Sequence, residues 1–370
     1  MRTALEQALQ RIWAGHRPRS LTAPLYLFYF LLIPFSVLYS SLVWGRRWLV
    51  QVGLLQCRRL SGTKVVSVGN ITTGGTGKSP LVAGLAATFL EQDVPVAVVS
   101  RGYGALKRSS GPLLVSDGSG PLVAPDKAGD EPVMIAEAVP VPVIVSRDRY
   151  VGARLARDRY DAAVVILDDG FQHLGLARDL NIVLLEAADP FGNRWTLPAG
   201  KLREPLSALK AADMFIIVHR GGEIEPVPDR MKDLLRAFSK NAMIIDGLLG
   251  IRGVRRFGER DEQDLSGMAG HKVILVSGIG SPHYLEEEMT AAGMTVIEHL
   301  AYRDHHRYDE RDVERIGARF LSSGAELLVT TAKDETKLIR AGLRDVVAEA
   351  WVAEVSFEPR FLKHIAGVLS

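Results

Sequence analysis

Residues 65 to 79 read Val-Val-Ser-Val-Gly-Asn-Ile-Thr-Thr-Gly-Gly-Thr-Gly-Lys-Ser, an apolar run, a glycine-rich turn, and then Gly77-Lys78-Ser79 at the start of a helical pattern over Leu81–Leu90. A buried strand that enters a helix through such a turn is the sequence form of a phosphate-binding loop. Gly74, Gly75 and Gly77 give the backbone conformations closed to other residues, so its N–H groups turn inward at the positive end of the following helix. That cup fits a triphosphate. Thr72, Thr73 and Thr76 complete the loop, Lys78 has the reach for the β- and γ-phosphates, and the Ser79 hydroxyl suits Mg²⁺. Thr72 stands where the general motif has its first glycine. The bland alternative, a glycine turn with no ligand, is disfavoured by an acidic pair further along the chain.

At 370 residues the chain has material for two domains, and an apolar share of 47% is ordinary for a globular protein. Net charge is only +2, but residues 1 to 60 hold eight Arg against the single acidic Glu6. Basicity therefore belongs to the N-terminus, and no nucleic-acid-binding face is expected. Cys57 is the only cysteine, which excludes an intramolecular disulfide and a cysteine-based metal cluster and suits a reducing compartment. Leu21 to Trp44 carries no charged side chain. As a helix it runs to about 36 Å, against a hydrocarbon core of about 30 Å. Arg17 and Arg19 before it, and Arg46, Arg47, Arg58 and Arg59 after it, stand where anionic headgroups would be. The expectation is a membrane-associated segment over 1–60, spanning or, with Pro24 and Pro34 in it, folded as a re-entrant or interfacial hairpin. A buried core helix and a cleaved signal are the competing readings.

From Lys64 onward, short apolar runs alternate with helical patterns. The runs are Val65–Val68, Val96–Ser100, Val143–Val145, Ala163–Leu167, Ile182–Leu185 and Met214–Val218. Strands of this kind between helices indicate a parallel sheet covered on both faces, an α/β fold. Ile244 to Gln263, richer in Gly and Arg, reads as extended connecting structure. A second, smaller α/β unit follows, with strands at Lys272–Ser277, Thr295–Glu298, Glu326–Thr330 and Ala350–Val355 and helices over His283–Ala292 and Glu310–Ser322. The expected organisation is 1–60 N-terminal segment, 61–243 phosphate-loop domain, and 244–370 C-terminal α/β domain.

Asp168 and Asp169 close the apolar run that begins at Ala162, which puts a carboxylate pair at the carboxyl end of a buried strand, where ligands of open parallel sheets collect. One can hold Mg²⁺ while the other positions water or substrate; a simple cap or turn is the alternative, since Gly170 follows. Gln172 and His173 come next, His173 being as readily a packing residue as a site residue. In Gly129-Asp130-Glu131-Pro132, Asp130 caps the following helix or serves as a base. The Ser100–Gly104 run lets Arg101 or Tyr103 project over a neighbouring site. Leu202-Arg203-Glu204-Pro205 sets a cation beside an acid, which a surface ion pair explains equally well. Asp304-His305-His306 lies in the second unit; two adjacent histidines point apart, so a shared metal is not expected.

The order of these motifs, from Val68-Gly-Asn-Ile-Thr-Thr-Gly-Gly-Thr-Gly-Lys-Ser-Pro80 through Asp168-Asp-Gly-Phe-Gln-His173 to Asp304-His305 and Thr331-Ala-Lys-Asp334, closely resembles the tetraacyldisaccharide 4′-kinase family over residues 20 to 335. The resemblance implies a phosphate-loop kinase fold and ATP- and Mg²⁺-dependent phosphorylation of the 4′-hydroxyl of an acylated disaccharide 1-phosphate, at the cytoplasmic face of a bacterial inner membrane. It implies Asp130 as base with His305 as its partner, Lys78 on the transferred phosphoryl, and Ser79, Asp169 and Asp168 on the metal side. Arg101, Tyr103, Glu131, Gln172, His173, Arg203 and Glu204 are implied to line the substrate cleft; Lys333 and Asp334 are the least defined. A membrane-bound nucleotide switch without an acceptor accounts for the loop but not for Asp130 and His305. A soluble small-molecule kinase with a buried N-terminal helix is the third reading.

Overall fold

The computed structural model describes residues 13, 23–103, 105, 111–221, 224–259, 261–280, 282–304 and 306–369. Among these, thirteen strands join in one sheet: β1 Lys64–Asn70, β2 Val96–Ser100, β3 Leu113–Asp117, β4 Pro142–Val145, β5 Val164–Asp168, β6 Leu180–Glu186, β7 Met214–Arg220, β8 Met243–Arg256, β9 Glu262–Asp264, β10 Lys272–Ser277, β11 Thr295–Ala301, β12 Leu327–Thr331 and β13 Ala350–Phe357. Their order is β11-β10-β12-β13-β8-β7-β6-β1-β5-β2-β4-β3, with β9 hung on β8. Pairing is parallel except at β3/β4, β8/β9 and β8/β13. The α/β reading holds. Central strands such as β5 are buried along their length because helices cover both faces, which is why their sequences are continuously apolar rather than alternating.

The stretch read as connecting structure is a correction. It is mostly β8, a 14-residue strand. Its first half pairs parallel with β7 (Met214↔Met243 to Arg220↔Leu249) and its second half antiparallel with β13 (Phe357↔Leu249 to Trp351↔Arg256). One strand thus joins the β7 side of the sheet to the β13 side. Its glycines hid it, and packing explains them: a Cβ at Gly247 would meet the Phe361 ring at 2.7 Å, and one at Gly253 would meet Glu262 at 2.2 Å. The chain then returns, as the last helix, Pro359–Gly367, packs Leu362 and Ile365 with Leu81 and Leu85 of the loop helix Lys78–Glu91. β3 and the helices Asp229–Phe238 and Ala332–Arg340 were also not read from sequence.

At the N-terminus a single continuous helix runs from Ala23 to Gln51 through Pro34, in place of a hairpin. Nor is it a core helix. Phe30, Leu31, Phe35, Leu38, Leu42 and Trp44 are each more than half exposed, whereas Ser36 is fully buried. Within it, Phe28–Gln51 is long and apolar enough to cross a membrane. The helix turns its small and polar side chains toward the body of the protein: Ser36 Oγ donates to the Thr196 carbonyl at 2.7 Å, Ser40 and Thr196 hydroxyls meet at 2.8 Å, and Tyr39 Oη donates to the Arg203 carbonyl at 2.9 Å.

Near the end of β8, Arg255 is sandwiched by Glu335 (2.7 and 2.5 Å) and Glu354 (2.5 Å), with Glu335 almost wholly buried. Burial disfavours the ions, and only their pairing offsets it. Arg255→Met leaves two carboxylates facing each other without a cation and is expected to cost about 3–5 kcal/mol, read as a lowered denaturant midpoint against the unaltered protein.

Candidate active site

The loop between β1 and its helix is built on a buried asparagine. Asn70, the last residue of β1 and fully buried, donates from Nδ2 to Thr76 Oγ1 (3.0 Å) and Thr72 Oγ1 (3.3 Å), while its Oδ1 accepts from Lys78 Nζ (3.3 Å) and from Arg203. It fixes the loop's two ends to each other. Thr72 replaces the motif glycine without strain: it takes no left-handed conformation and bridges instead to Leu202, while Thr73 N donates to the Lys201 carbonyl at 2.8 Å. Glycine is needed at Gly77, whose φ of 82° precedes the helix start at Lys78 and leaves its first N–H groups pointing at the cup. Ser79, in the first helical turn, is buried.

Register brings the acids to the loop. β1 and β5 pair with Val68 opposite Asp168, so the Asp pair lies level with the point where β1 turns into the loop. Asp169 sits in the left-handed region (φ 49°), a conformation Asp tolerates better than most residues and one that aims its carboxylate at Lys78. Arg203 grips it bidentately at 2.7 and 2.8 Å, and Lys78 Nζ lies 3.8 Å away. Burial alone would raise the Asp169 pKa, but the Arg203 hydrogen bonds and the Lys78, Arg203 and Arg149 charges override it and hold it down at about 2. Asp168 is the reverse. Its full burial, with the Glu131 and Asp169 charges nearby, pushes it up to about 7 despite a 2.8 Å hydrogen bond from Ser100. Its other oxygen, Oδ1, is buried with no partner.

That orphaned oxygen, with the Glu131 and Asp169 charges acting on it, fits a cation. Among the described residues no group of three or more His, Cys, Asp or Glu side chains is arranged to enclose a metal. The donor set thus matches Mg²⁺, which takes one or two protein oxygens and completes its shell with phosphate and water, rather than a metal held in an all-protein cage.

The remaining sequence-predicted residues divide by place. Gln172 Nε2 donates to the Asn70 carbonyl at 2.7 Å, so it braces the loop from behind. His173 is mostly buried, and burial with the Arg149 and Arg178 charges drops its pKa to about 4, leaving it neutral at pH 7. Arg203 and Glu204 do not form the surface pair that their adjacency allows. Arg203 goes to Asp169, while buried Glu204 takes Arg47 of the N-terminal helix at 2.5 Å. Arg101 and Tyr103 are exposed at the rim. Gly129 (φ 92°) lies against this segment so closely that a Cβ would meet the Tyr103 carbonyl at 2.2 Å, which brings Asp130 and Glu131 to the same edge. Asp130 is not the cap: it is the first residue of the helix Asp130–Ala138, whose cap position is Gly129 with no side-chain cap hydrogen bond, and it pairs with Lys337 at 3.2 Å. His305 lies outside the described residues; His306 packs among Tyr302 and Tyr308 and bonds Asp312 at 2.7 Å.

The basic residues after the N-terminal apolar run also contact the body of the protein. Arg46 donates to the Gln172 carbonyl, Arg47 covers the Phe171 ring at 4.7 Å, and Arg58 pairs with Asp148. Arg46 nonetheless remains exposed, and Arg59, 3.6 Å from Asp179, keeps 75% of its side chain exposed. Sequence reasoning missed Asn70, Arg149, Tyr39 and Lys337. For Asn70 the signal was present: a polar residue closing an apolar strand at the start of the loop. Arg149, fully inside and bonded to the Ser146 carbonyl at 2.9 Å, gave none.

Comparison with known proteins gives this geometry a context. The family model described as tetraacyldisaccharide-1-P 4′-kinase matches residues 28–369. Curated tetraacyldisaccharide 4′-kinases from Pelobacter propionicus and Syntrophus aciditrophicus are similar at 39% identity over 320 residues (86% of this chain, 85% of the relative) and 38% over 350 residues (90% of each). A crystal structure of LpxK from Aquifex aeolicus in complex with ATP superposes with a TM-score of 0.72 at 29% identity, covering 93% of this chain and all of that one. A match along nearly the whole length, at these identities, leaves one conclusion: the chain belongs to the tetraacyldisaccharide-1-P 4′-kinase family.

Proposed function

We propose that this protein moves the γ-phosphoryl group of ATP onto the 4′-hydroxyl of a tetraacylated disaccharide 1-phosphate, giving the 1,4′-bisphosphate, at the cytoplasmic face of a bacterial inner membrane. The observation that carries the reading is Arg203. Its side chain clamps Asp169 beside the phosphate loop, and its carbonyl is held by Tyr39 on a helix whose apolar face points outward. Phosphate chemistry and a lipid-facing surface therefore share one residue. The body binds that helix from Ser36 to Arg47, which supports a helix lying along the membrane surface with its apolar side in the acyl region.

In this mechanism the loop N–H groups and Lys78 bind the triphosphate; Ser79 with Asp168 and Asp169 would hold Mg²⁺, which when bound would supply charge neutralisation for the phosphates. Asp130 accepts the proton of the sugar hydroxyl, with His305 as its partner. Glu131, Arg101 and Tyr103 line the rim on the acceptor side, while Gln172, His173 and Glu204 support the loop and its neighbours. The units 61–243 and 244–370 close on each other around the acceptor and exclude water, which limits futile ATP hydrolysis.

Incubation of the purified protein with γ-labelled ATP and acylated disaccharide phosphate tests the reaction: label is expected in the lipid, and phosphate release independent of lipid would instead favour a nucleotide switch. Asp130→Ala is expected to lower turnover by about 10²-fold or more with little change in ATP affinity; near-normal turnover removes it as base. Deleting residues 1 to 45 takes Tyr39 from Arg203, so the truncated protein is expected to lose lipid phosphorylation even in detergent. A soluble, fully active truncate would sever the tie between helix and site.

A further inference from the structure

The Thr331-Ala-Lys-Asp334 run ends β12 and opens the helix Ala332–Arg340. Its aspartate is fully buried and held from three directions: Gly278 N donates to Oδ2 at 2.7 Å, Thr331 Oγ1 donates to Oδ2 at 2.8 Å, and Lys337 Nζ reaches Oδ1 at 3.3 Å. Such an aspartate does not move. Lys337 is one helical turn on, where residues three apart share a face. Its side chain is only 10% exposed, and the same ammonium lies 3.2 Å from Asp130 Oδ2. A flexible four-carbon stem is thereby pinned at its charged end. Two more contacts join the flanking segments, Thr336 Oγ1 to Glu137 (2.7 and 2.9 Å) and Arg340 to Asp126 (3.9 Å).

We propose that Lys337 is a positioning residue for Asp130, with Asp334 as its fixed anchor. An ammonium at ion-pair distance favours the carboxylate form that a base requires before transfer, and it sets the direction in which that carboxylate faces. Because Lys337 comes from the second unit and Asp130 from the first, the base is in its working orientation only when the two units are together. Open and closed forms then differ in catalytic competence as well as in access. The inference rests on the reading of Asp130 as base.

The test uses the full-length protein in detergent with ATP and acylated disaccharide phosphate. Variants are Lys337→Met, Lys337→Arg, Asp130→Asn, the double variant Asp130→Asn/Lys337→Met, and Thr336→Val, which breaks the neighbouring contact without touching Asp130. Lys337→Met is expected to lower kcat by about 10- to 100-fold with the KM for ATP unchanged. Lys337→Arg should restore most of the loss, the double variant should be no slower than Asp130→Asn alone, and Thr336→Val should leave kcat near normal. Independent action would appear as losses that multiply in the double variant, and a plain strut as a Thr336→Val defect equal to that of Lys337→Met; either overturns the proposal. Normal turnover by Lys337→Met with an inactive Asp130→Asn sinks this inference alone, whereas normal turnover by Asp130→Asn sinks the base itself. If Lys337→Met fails to fold, Lys337→Gln carries the same comparisons.

Discussion

The bidentate pair between Arg203 and Asp169 is the contact around which the site is assembled. A carboxylate at the end of a buried strand, in a left-handed backbone, close to a second carboxylate, is an arrangement that repels itself unless cations are fixed beside it. Arg203 and Lys78 supply two, and each is also bound to Asn70, so the same cations that hold the acid hold the loop. Charge balance and loop shape are consequently one problem with one solution. Among the described residues the Asp168 side chain lacks such a pairing and accepts a hydrogen bond from Ser100 alone, which leaves its Oδ1 with capacity for a further positive partner.

A comparable economy joins the two halves of the sheet. β8 serves as a parallel strand toward β7 and an antiparallel strand toward β13, and the last helix goes back to pack on the loop helix. The β13 side of the sheet is therefore tied to the phosphate-loop side by a strand, a helix and the polar contacts of residues 336–340, near the candidate base.

The sequence was most informative where local rules act. Strands such as Val96–Ser100 and Lys272–Ser277 are bounded in the structure as their apolar runs imply, because a strand covered on both faces has no other composition available to it. The phosphate loop and the Asp pair were legible for the same reason: their chemistry is set by neighbours in sequence and one strand pairing. β8 was not, since its glycines answer to Phe361 and Glu262, which lie far along the chain or across a turn. The partners of Arg203 and Glu204 were equally hidden. Adjacent in sequence, they serve different customers, an acid 34 residues upstream and an arginine in the N-terminal helix. Only the fold decides between those and the local pair.

The buried Ser36 on an otherwise greasy helix has a consequence for distance. From Ser36 to Arg47 the helix is fastened to the protein over eleven steps, about 16 Å of its axis. Fastened lengthwise, it works as a fixed ruler between its own exposed apolar side chains and the phosphate loop: how far Phe35, Leu38 and Leu42 stand from that loop is set when the chain folds.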